Sequence, residues 1–466
     1  MERPYFPCDA IPTDPARARL LGLYPQRQEG LWMQRTKLLG GRLNADQWRA
    51  LAHAARRFTP GAPLHLTTRQ DVELHDLAPD AVPQLQRSLA DAALSSVGAC
   101  GDTPRNITLC PGSGTRPDAP DLAPLARDAQ AILEQTAGIW ALPRKFKISF
   151  SACPDACAQP WINDLGFVAL RRGEQWGFRV MAGGSLGSVP RTAMLFDDFL
   201  PADDALPLIS AAVRFFAAHG DRTNRRHARL RHVREKMGDQ PFADALRRSL
   251  DEARRERSWT GVSFPPPPAG LEARLLLTFP NGDVAPDQAD ALARLADAGL
   301  AVRIANQHGV VVFGPDEATV REAVARQPTL APAARPQPTV VACPGTRWCQ
   351  AALADTCGLA DRRREHMGDL APAPACEPRA EARSHLDAMT VCISGCPNGC
   401  AQSAVAGVGL VGGLATRDGQ RTEVYNLFAG GQMGRTPRLA ATIARRLDAD
   451  QILAAVAQRL TPNVRG

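Results

Sequence analysis

Two pairs of cysteines near the C-terminus carry the chemistry most open to reading. Cys343 and Cys349 lie in ACPGTRWCQ, six positions apart, and Cys396 and Cys400 lie in SGCPNGCAQ, four apart. Four thiolates spaced C-x5-C, then C-x3-C after a long gap, suit an iron–sulfur cluster, because such clusters are held by soft, deprotonated sulfur. A structural zinc site more often uses C-x2-C pairs and is the second reading. Gly395, Pro397 and Gly399 surround the second pair. They make a tight turn whose backbone can approach a cofactor closely.

On these residues the chain resembles the sirohaem-dependent sulfite and nitrite reductases, from about Leu20 to about Leu439. In that family the same cysteine motif binds a 4Fe–4S cluster, and its last cysteine bridges the cluster to the sirohaem iron. The resemblance implies Cys343, Cys349, Cys396 and Cys400 as the ligands and Cys400 as the bridge. Six-electron reduction of sulfite or nitrite needs fixed positive charge to collect the anion and polarise its oxygens. The family places two arginines and two lysines around the distal face of the sirohaem. Here the matching residues are Arg35 in MQRTKLLGG, Arg105 in ACGDTPRN, and Lys145 and Lys147 in LPRKFKISF. Arginine is a planar oxyanion clamp, and lysine is a compact donor whose pKa can fall. Lys145 and Lys147 alternate with Phe146, so on a strand they share one face. Arg69, in LTTRQDVELHD, matches an arginine that reaches a sirohaem carboxylate. His75 is expected on the cofactor side, and Asn398, inside CPNGC, is expected to face the macrocycle.

Within the family, sulfite reductases tend to read RKFK or RKYK at the lysine motif, and plant-type nitrite reductases RKFN. Arg144–Lys147 reads RKFK, which favours sulfite to sulfide, with nitrite to ammonia by the same machinery as the alternative. A further alternative is an oxygenase like precorrin-3B synthase of cobalamin biosynthesis, which shares the fold and cluster motif. It needs no anion clamp, so the four cations count against it. No GxGxxG follows a strand to suggest a nucleotide-binding domain. Electrons are therefore expected from an acidic partner, either a ferredoxin or a flavoprotein subunit.

The elements that position these residues are written twice. FSACPDACAQ around Cys153 and Cys157 parallels ISGCPNGCAQ around Cys396 and Cys400, 243 positions later. Ala99-Cys100 parallels Ala342-Cys343 at the same offset, and Asp46-Gln47 parallels Asp287-Gln288. Repetition at near-constant offset predicts an internally duplicated, pseudo-twofold α+β fold. Leu43–Phe58 and Pro286–Ala298 read as helices, and Leu64–Leu77, Arg274–Phe279 and Ala301–Phe313 as strands. These give two ferredoxin-like half-modules, within 1–79 and 271–327. Two larger α/β modules follow them, at 80–262 and 339–466, the second carrying the cluster. The Pro-rich stretches Ser263–Gly270 and Pro328–Pro338 mark boundaries. In the first half Cys100 and Cys110 stand ten apart rather than six, so no second cluster is expected. These two, with Cys153 and Cys157, read as packed relics of the duplication, and Cys8, Cys357, Cys376 and Cys392 as packed thiols.

Composition narrows the setting. Among 466 residues, 44% are hydrophobic, ample for a core, and 12 are cysteine. Ligand-like cysteine spacing predicts a reducing compartment, the cytoplasm. The start MERPYFPCDA lacks the apolar run of a secretory signal, and no 18-residue apolar stretch predicts a membrane span. The net charge of +7 fits anionic cofactors and an acidic donor, and no nucleic-acid-binding motif is present. The densest basic run, Asp221–Lys236, reads either as a solvated helix face or as a donor-docking surface.

Overall fold

The computed structural model describes residues 6–335, 339–366, 390–417 and 419–460. Cys376, parts of the 339–466 module and the end of the second Pro-rich stretch lie outside them. The first small module contributes strands β1 (Leu23–Pro25), β2 (Trp32–Thr36), β3 (Leu64–Leu66) and β4 (Val72–Leu77), with the helices Ala45–Phe58 and Val82–Asp91. The first large module holds β5 (Thr108–Leu109), β6 (Ile148–Ser151), β7 (Leu165–Arg172), β8 (Gln175–Ala182) and β9 (Met194–Pro201). The second small module holds β10 (Ala273–Thr278), β11 (Asp283–Val284), β12 (Ala301–Ile304) and β13 (Gly309–Gly314). The second large module holds β14 (Val340–Ala342), β15 (Val391–Ser394), β16 (Val408–Arg417), β17 (Gln420–Ala429) and β18 (Ala441–Leu447).

The two small modules share one core. β11 leaves its own half and pairs with β3, placing Val284 opposite Leu64, so the first sheet runs β1-β2-β4-β3-β11. The second is β10-β13-β12. Trp48 and Leu51 of one half pack in the same apolar cluster as Leu292 and Val310 of the other. Burying both faces in one core stabilises units that are each too small to stand alone. The helix Ala45–Phe58 starts two residues after the expected Leu43 because Asn44 caps it. Asn44 Oδ1 accepts from the Gln47 backbone N–H at 2.8 Å, and the Gln47 side chain accepts from Asn44 N–H at 3.1 Å. This reciprocal box satisfies two donors that the first helical turn leaves unpaired. Asn44→Ala should therefore lower stability by about 1 kcal/mol, seen as a lower urea midpoint with an unchanged slope. An unshifted midpoint would show that the box contributes nothing.

The large modules repeat one design. Their sheets run β5-β6-β7-β8-β9 and β14-β15-β16-β17-β18. In each, the first two pairings are parallel and the last two antiparallel. The duplication therefore has a physical axis, marked by Gln159 and Gln402. Both stand in the left-handed region and exchange side-chain amides, Gln402 Nε2 donating to Gln159 Oε1 at 2.7 Å and Gln159 Nε2 returning the bond. Ser151 Oγ accepts from Ala158 N–H, and its counterpart Ser394 Oγ accepts from Ala401 N–H.

The same symmetry corrects one pairing read from the sequence. Cys110 N–H donates to the Phe150 carbonyl as Cys343 N–H donates to the Ile393 carbonyl, both at 3.0 Å. Cys110, which follows β5 and opens a Cys-Pro-Gly turn as Cys343 does, is thus the counterpart of Cys343; Cys100 is not. The basic run Asp221–Lys236 is divided between surface and interior. Arg229, Arg231 and Arg234 are buried and paired with Asp164, Glu235 and Asp239. Arg222, Arg225, Arg226 and Lys236 stay exposed, so three of the seven Lys/Arg side chains brace the interior and four remain at the surface.

Candidate functional site

The four cysteines of the C-terminal motif follow the parallel strands β14 and β15. Loops at the carboxyl ends of parallel strands are where open α/β sheets place ligands. Cys343 directly follows β14 and Cys349 closes the next turn. That turn requires Gly345, whose φ is +57° and whose added Cβ would lie 2.2 Å from Thr356 Oγ1. Cys396 and Cys400 follow β15. The Gly395 N–H donates to Cys343 Sγ at 3.1 Å, and Asn398 hydrogen-bonds Cys396 through its backbone and side chain. Burial pushes the Cys343 thiol up to about 12, and the neighbouring Cys400 adds to the effect. Burial raises Cys349 and Cys396 as well, and a bound cation would hold these three sulfurs as thiolates. No three of the four motif sulfurs come within 4.8 Å of one another, whereas Cys110, Cys153 and Cys157 do. A single zinc with Zn–S bonds of about 2.3 Å would draw its sulfurs to about 3.8 Å. The wider C-terminal set fits a polynuclear cluster, and the zinc reading fails there.

The N-terminal edge of this loop is held from the first small module. Arg27 N–H donates to the Trp348 carbonyl at 2.8 Å, and Gln28 Nε2 donates to the Arg347 carbonyl at 2.7 Å. Trp348 stacks on His75 with centroids 3.9 Å apart and planes within 5°. His75 is buried, faces Glu73 at 3.1 Å, and sits behind the cation pocket beside the Cys349 loop. Burial alone would raise the Glu73 carboxyl, but Arg35 and His75 hold it well below the usual range.

The cations come from four separate segments, and Lys145 among them lies near Cys400. Arg35 on β2 donates through Nε to Glu73 at 2.7 Å and through Nη1 to the Ala99 carbonyl at 3.3 Å. Arg105 donates to the same carbonyl at 2.7 Å and to the Gly101 carbonyl at 2.8 Å. Cys100 lies in this loop, beside both guanidinium groups. Arg69, in the turn between β3 and β4, donates to Asn163 Oδ1 at 2.8 Å and to the Asn106 carbonyl at 2.6 Å. The adjacent Thr68 Oγ1 donates to the Cys400 carbonyl at 3.0 Å, tying the arginine turn to the last cysteine. Lys145 and Lys147 flank the fully buried Phe146 in extended chain, as the alternation predicts. The strand itself begins one residue later, at Ile148. Asp164 Oδ2 fixes this segment by accepting from Lys147 N–H at 2.8 Å and from Arg229 Nη2 at 2.7 Å.

This pocket is short of negative charge. Burial, then the nearby Arg105 and Arg229, pulls Lys145 down to about 7. Burial, then Arg69 and Lys145, takes Lys147 well below its ordinary value. Burial also lowers Lys37 to about 8 and Arg69 to about 10. The Nε–H groups of Arg69 and Arg105 are buried without a hydrogen-bond partner among the described residues. Buried donors and crowded cations of this kind are stable only beside an anionic group. A carboxylate-bearing macrocycle with a small oxyanion fits them. Sequence reasoning missed Lys37, Arg229, Asn163 and Gln70. Gln70 is buried and bonds Leu109 N–H and the carbonyls of Leu109 and Ile304, each at 2.8–2.9 Å, joining three modules behind Arg69. Only Lys37, two residues from Arg35, carried a local signal.

Four cysteines on the loops after two parallel strands, with a cluster of buried cations at the junction of a duplicated α+β fold, suit an electron-transferring oxidoreductase. Residues 100–253 and 337–461 match the nitrite and sulphite reductase 4Fe-4S domain, and residues 24–92 match the nitrite/sulfite reductase ferredoxin-like half domain. The chain is 29% identical to the assimilatory ferredoxin-dependent nitrite reductase of Haloferax mediterranei, covering 96% of this chain and 83% of that protein. It is 30% identical to the hemoprotein beta-component of the NADPH sulfite reductase of Acidithiobacillus ferrooxidans, covering 93% and 82%. The Mycobacterium tuberculosis NirA structure shares the fold, with a TM-score of 0.79 at 24% identity over 97% of this chain and 88% of that one. The chain belongs to the nitrite and sulfite reductase family, whose cofactors are sirohaem and a 4Fe–4S cluster. Among the described residues, no helix is long and apolar enough to cross a membrane.

Proposed function

We propose that the protein reduces nitrite to ammonia with electrons from a ferredoxin. The observation that carries this reading is the crowding of Arg35, Arg105, Lys145 and Lys147, with Lys145 near Cys400. The substrate preference draws support from relatives named as ferredoxin-dependent nitrite reductases, in Haloferax mediterranei, Arabidopsis thaliana and Synechococcus elongatus. They shift the balance away from the sulfite preference read from the lysine motif alone. Sulfite remains the second reading, favoured by Lys147, whose ammonium adds a charge suited to a larger anion.

In this reading Cys343, Cys349, Cys396 and Cys400 would hold the cluster, with Cys400 on the side toward the sirohaem. Arg69 and Asn398 contact the macrocycle, with His75 packed behind Arg35. When bound, the two coupled cofactors supply the electrons and the iron to which the anion binds. The chain's own residues do the rest. Arg35 and Arg105 hold oxygen atoms through planar N–H groups. Lys145, with a pKa near 7, can hold or release a proton at Nζ near neutral pH. Asp164 and Glu73 keep the cations aimed, through Lys147 N–H and the Arg35 guanidinium.

Arg69→Met should lower sirohaem retention by about tenfold, the loss expected for one charge-assisted contact. Absorbance per chain after dialysis measures it, and full retention would remove Arg69 from the cofactor set. The function itself is tested by steady-state kinetics with reduced ferredoxin, comparing nitrite with sulfite. A kcat/KM for nitrite at least tenfold above that for sulfite is expected, and the reverse ratio would establish the second reading.

A further inference from the structure

We propose that Cys110, Cys153 and Cys157 bind a single thiophilic metal ion of the zinc class, separate from the iron centre. Their sulfur atoms all lie within 4.8 Å of one another. Cys110 and Cys153 are buried and Cys157 is half-buried. The trio sits at the carboxyl ends of β5 and β6, where the second half places Cys343, Cys396 and Cys400.

The duplication explains both the likeness and the difference. Cys110-Pro111-Gly112 occupies the place of Cys343-Pro344-Gly345, and Cys153 and Cys157 occupy those of Cys396 and Cys400. Six residues after Cys110 the chain carries Arg116, where six residues after Cys343 it carries Cys349. The fourth thiolate has become a cation. A 4Fe–4S cluster held by cysteine takes four thiolates, and the sulfurs here are packed too closely for one. Three sulfurs at this spacing instead match a tetrahedral ion with S–S separations of about 3.8 Å. The fourth position is left to water or to Asp155, whose Oδ2 lies 3.9 Å from Cys153 Sγ.

The charges around the trio suit this assignment. Three thiolates with a dication carry one net negative charge. Arg116 lies near Cys153, and Arg303 lies near Cys110. Arg303, reaching across from β12, donates to the carbonyls of Pro111 and Ser113 at 2.6 Å each and so clasps the Cys110 loop. Ligand loops fixed by bonds from outside the ligand set are a recurring feature of built metal sites. Buried Cys packing alone gives no reason for two guanidinium groups beside three thiols.

The test uses the holoenzyme expressed in zinc-replete medium. Elemental analysis should give one zinc per chain in addition to the roughly five irons of one cluster and one haem. The Cys153→Ala/Cys157→Ala double variant should lose the zinc and keep the iron. Zinc-edge X-ray absorption of the unmodified holoenzyme should show sulfur scatterers at about 2.3 Å, which holds the proposal to account even if the variant misfolds. Absence of stoichiometric zinc, retention of zinc by the double variant, or an oxygen- and nitrogen-only first shell would each overturn it. Loss of about four irons in the double variant would also overturn it, in favour of a second cluster.

Discussion

Cys400→Ser is expected to bring nitrite and sulfite reduction to background while the chain still folds. Cys400 is exposed in its turn, so a serine there leaves no cavity and buries no unpaired group. Its carbonyl, the acceptor from Thr68, is unchanged by the substitution. The loss is chemical, because a serine oxygen replaces thiolate poorly at soft iron. On the bridging assignment, the variant also loses the covalent path between cluster and haem. Turnover with an artificial donor and the visible spectrum should therefore change together, with the melting temperature near that of the wild type. Normal turnover with an unaltered spectrum would remove Cys400 from the bridge.

Lys147→Asn should separate the two candidate substrates. Lys147 stands among Arg69, Lys145 and Arg229 in a pocket that already strains to hold its positive charge. Removing one ammonium relieves that repulsion, and it also removes attraction for the anion. Coulomb energy scales with the product of charges, so a dianion loses more than a monoanion. For sulfite the expected cost is about 2–3 kcal/mol of transition-state stabilisation, about 30–150-fold in kcat/KM. Nitrite should lose several-fold less. Asp164 bonds the backbone N–H of residue 147 and not its side chain, so the segment should keep its place. Equal losses for both anions would mean that Lys147 sets the field of the pocket without choosing between them.

The residues that announced themselves in the sequence are those that act through local spacing. The CPNGC turn and the Lys-Phe-Lys alternation place their side chains within a few residues of chain, so motif and geometry coincide. Gln70 and Arg229 could not be read in this way. Gln70 bonds residues 39 and 234 positions away, and nothing around it marks a buried amide. Arg229 sits in a run of basic residues whose average suggests solvent, yet the helix Leu230–Met237 turns one face inward. The Cys110 pairing was hidden for another reason. Cys100 has the right offset from Cys343, and only the strand pairing of β5 with β6 shows which cysteine follows the equivalent strand. The helix expected over Leu43–Phe58 starts two residues later, because the Asn44 cap that sets its first turn was not read from the sequence. The crossing of β11 into the other half's sheet was not legible either, because two residues carry no pattern.

Gln159 and Gln402 each hold the other's amide across the axis, as two copies of one residue would in a symmetric dimer. In such a dimer every substitution appears twice. A loop that gained a cation on one side would gain it on the other, and the two pockets would stay identical. Joining the copies in one chain removes that obligation. On the proposed assignment, the first half supplies Arg35, Arg69, Arg105, Lys145 and Lys147, and the second supplies the four cluster cysteines. Arg116 standing where symmetry would put a cysteine is the same freedom at a single position. On that assignment the lasting consequence of the fusion is a division of labour: one half holds the anion while the other, built on the same fold, delivers its electrons.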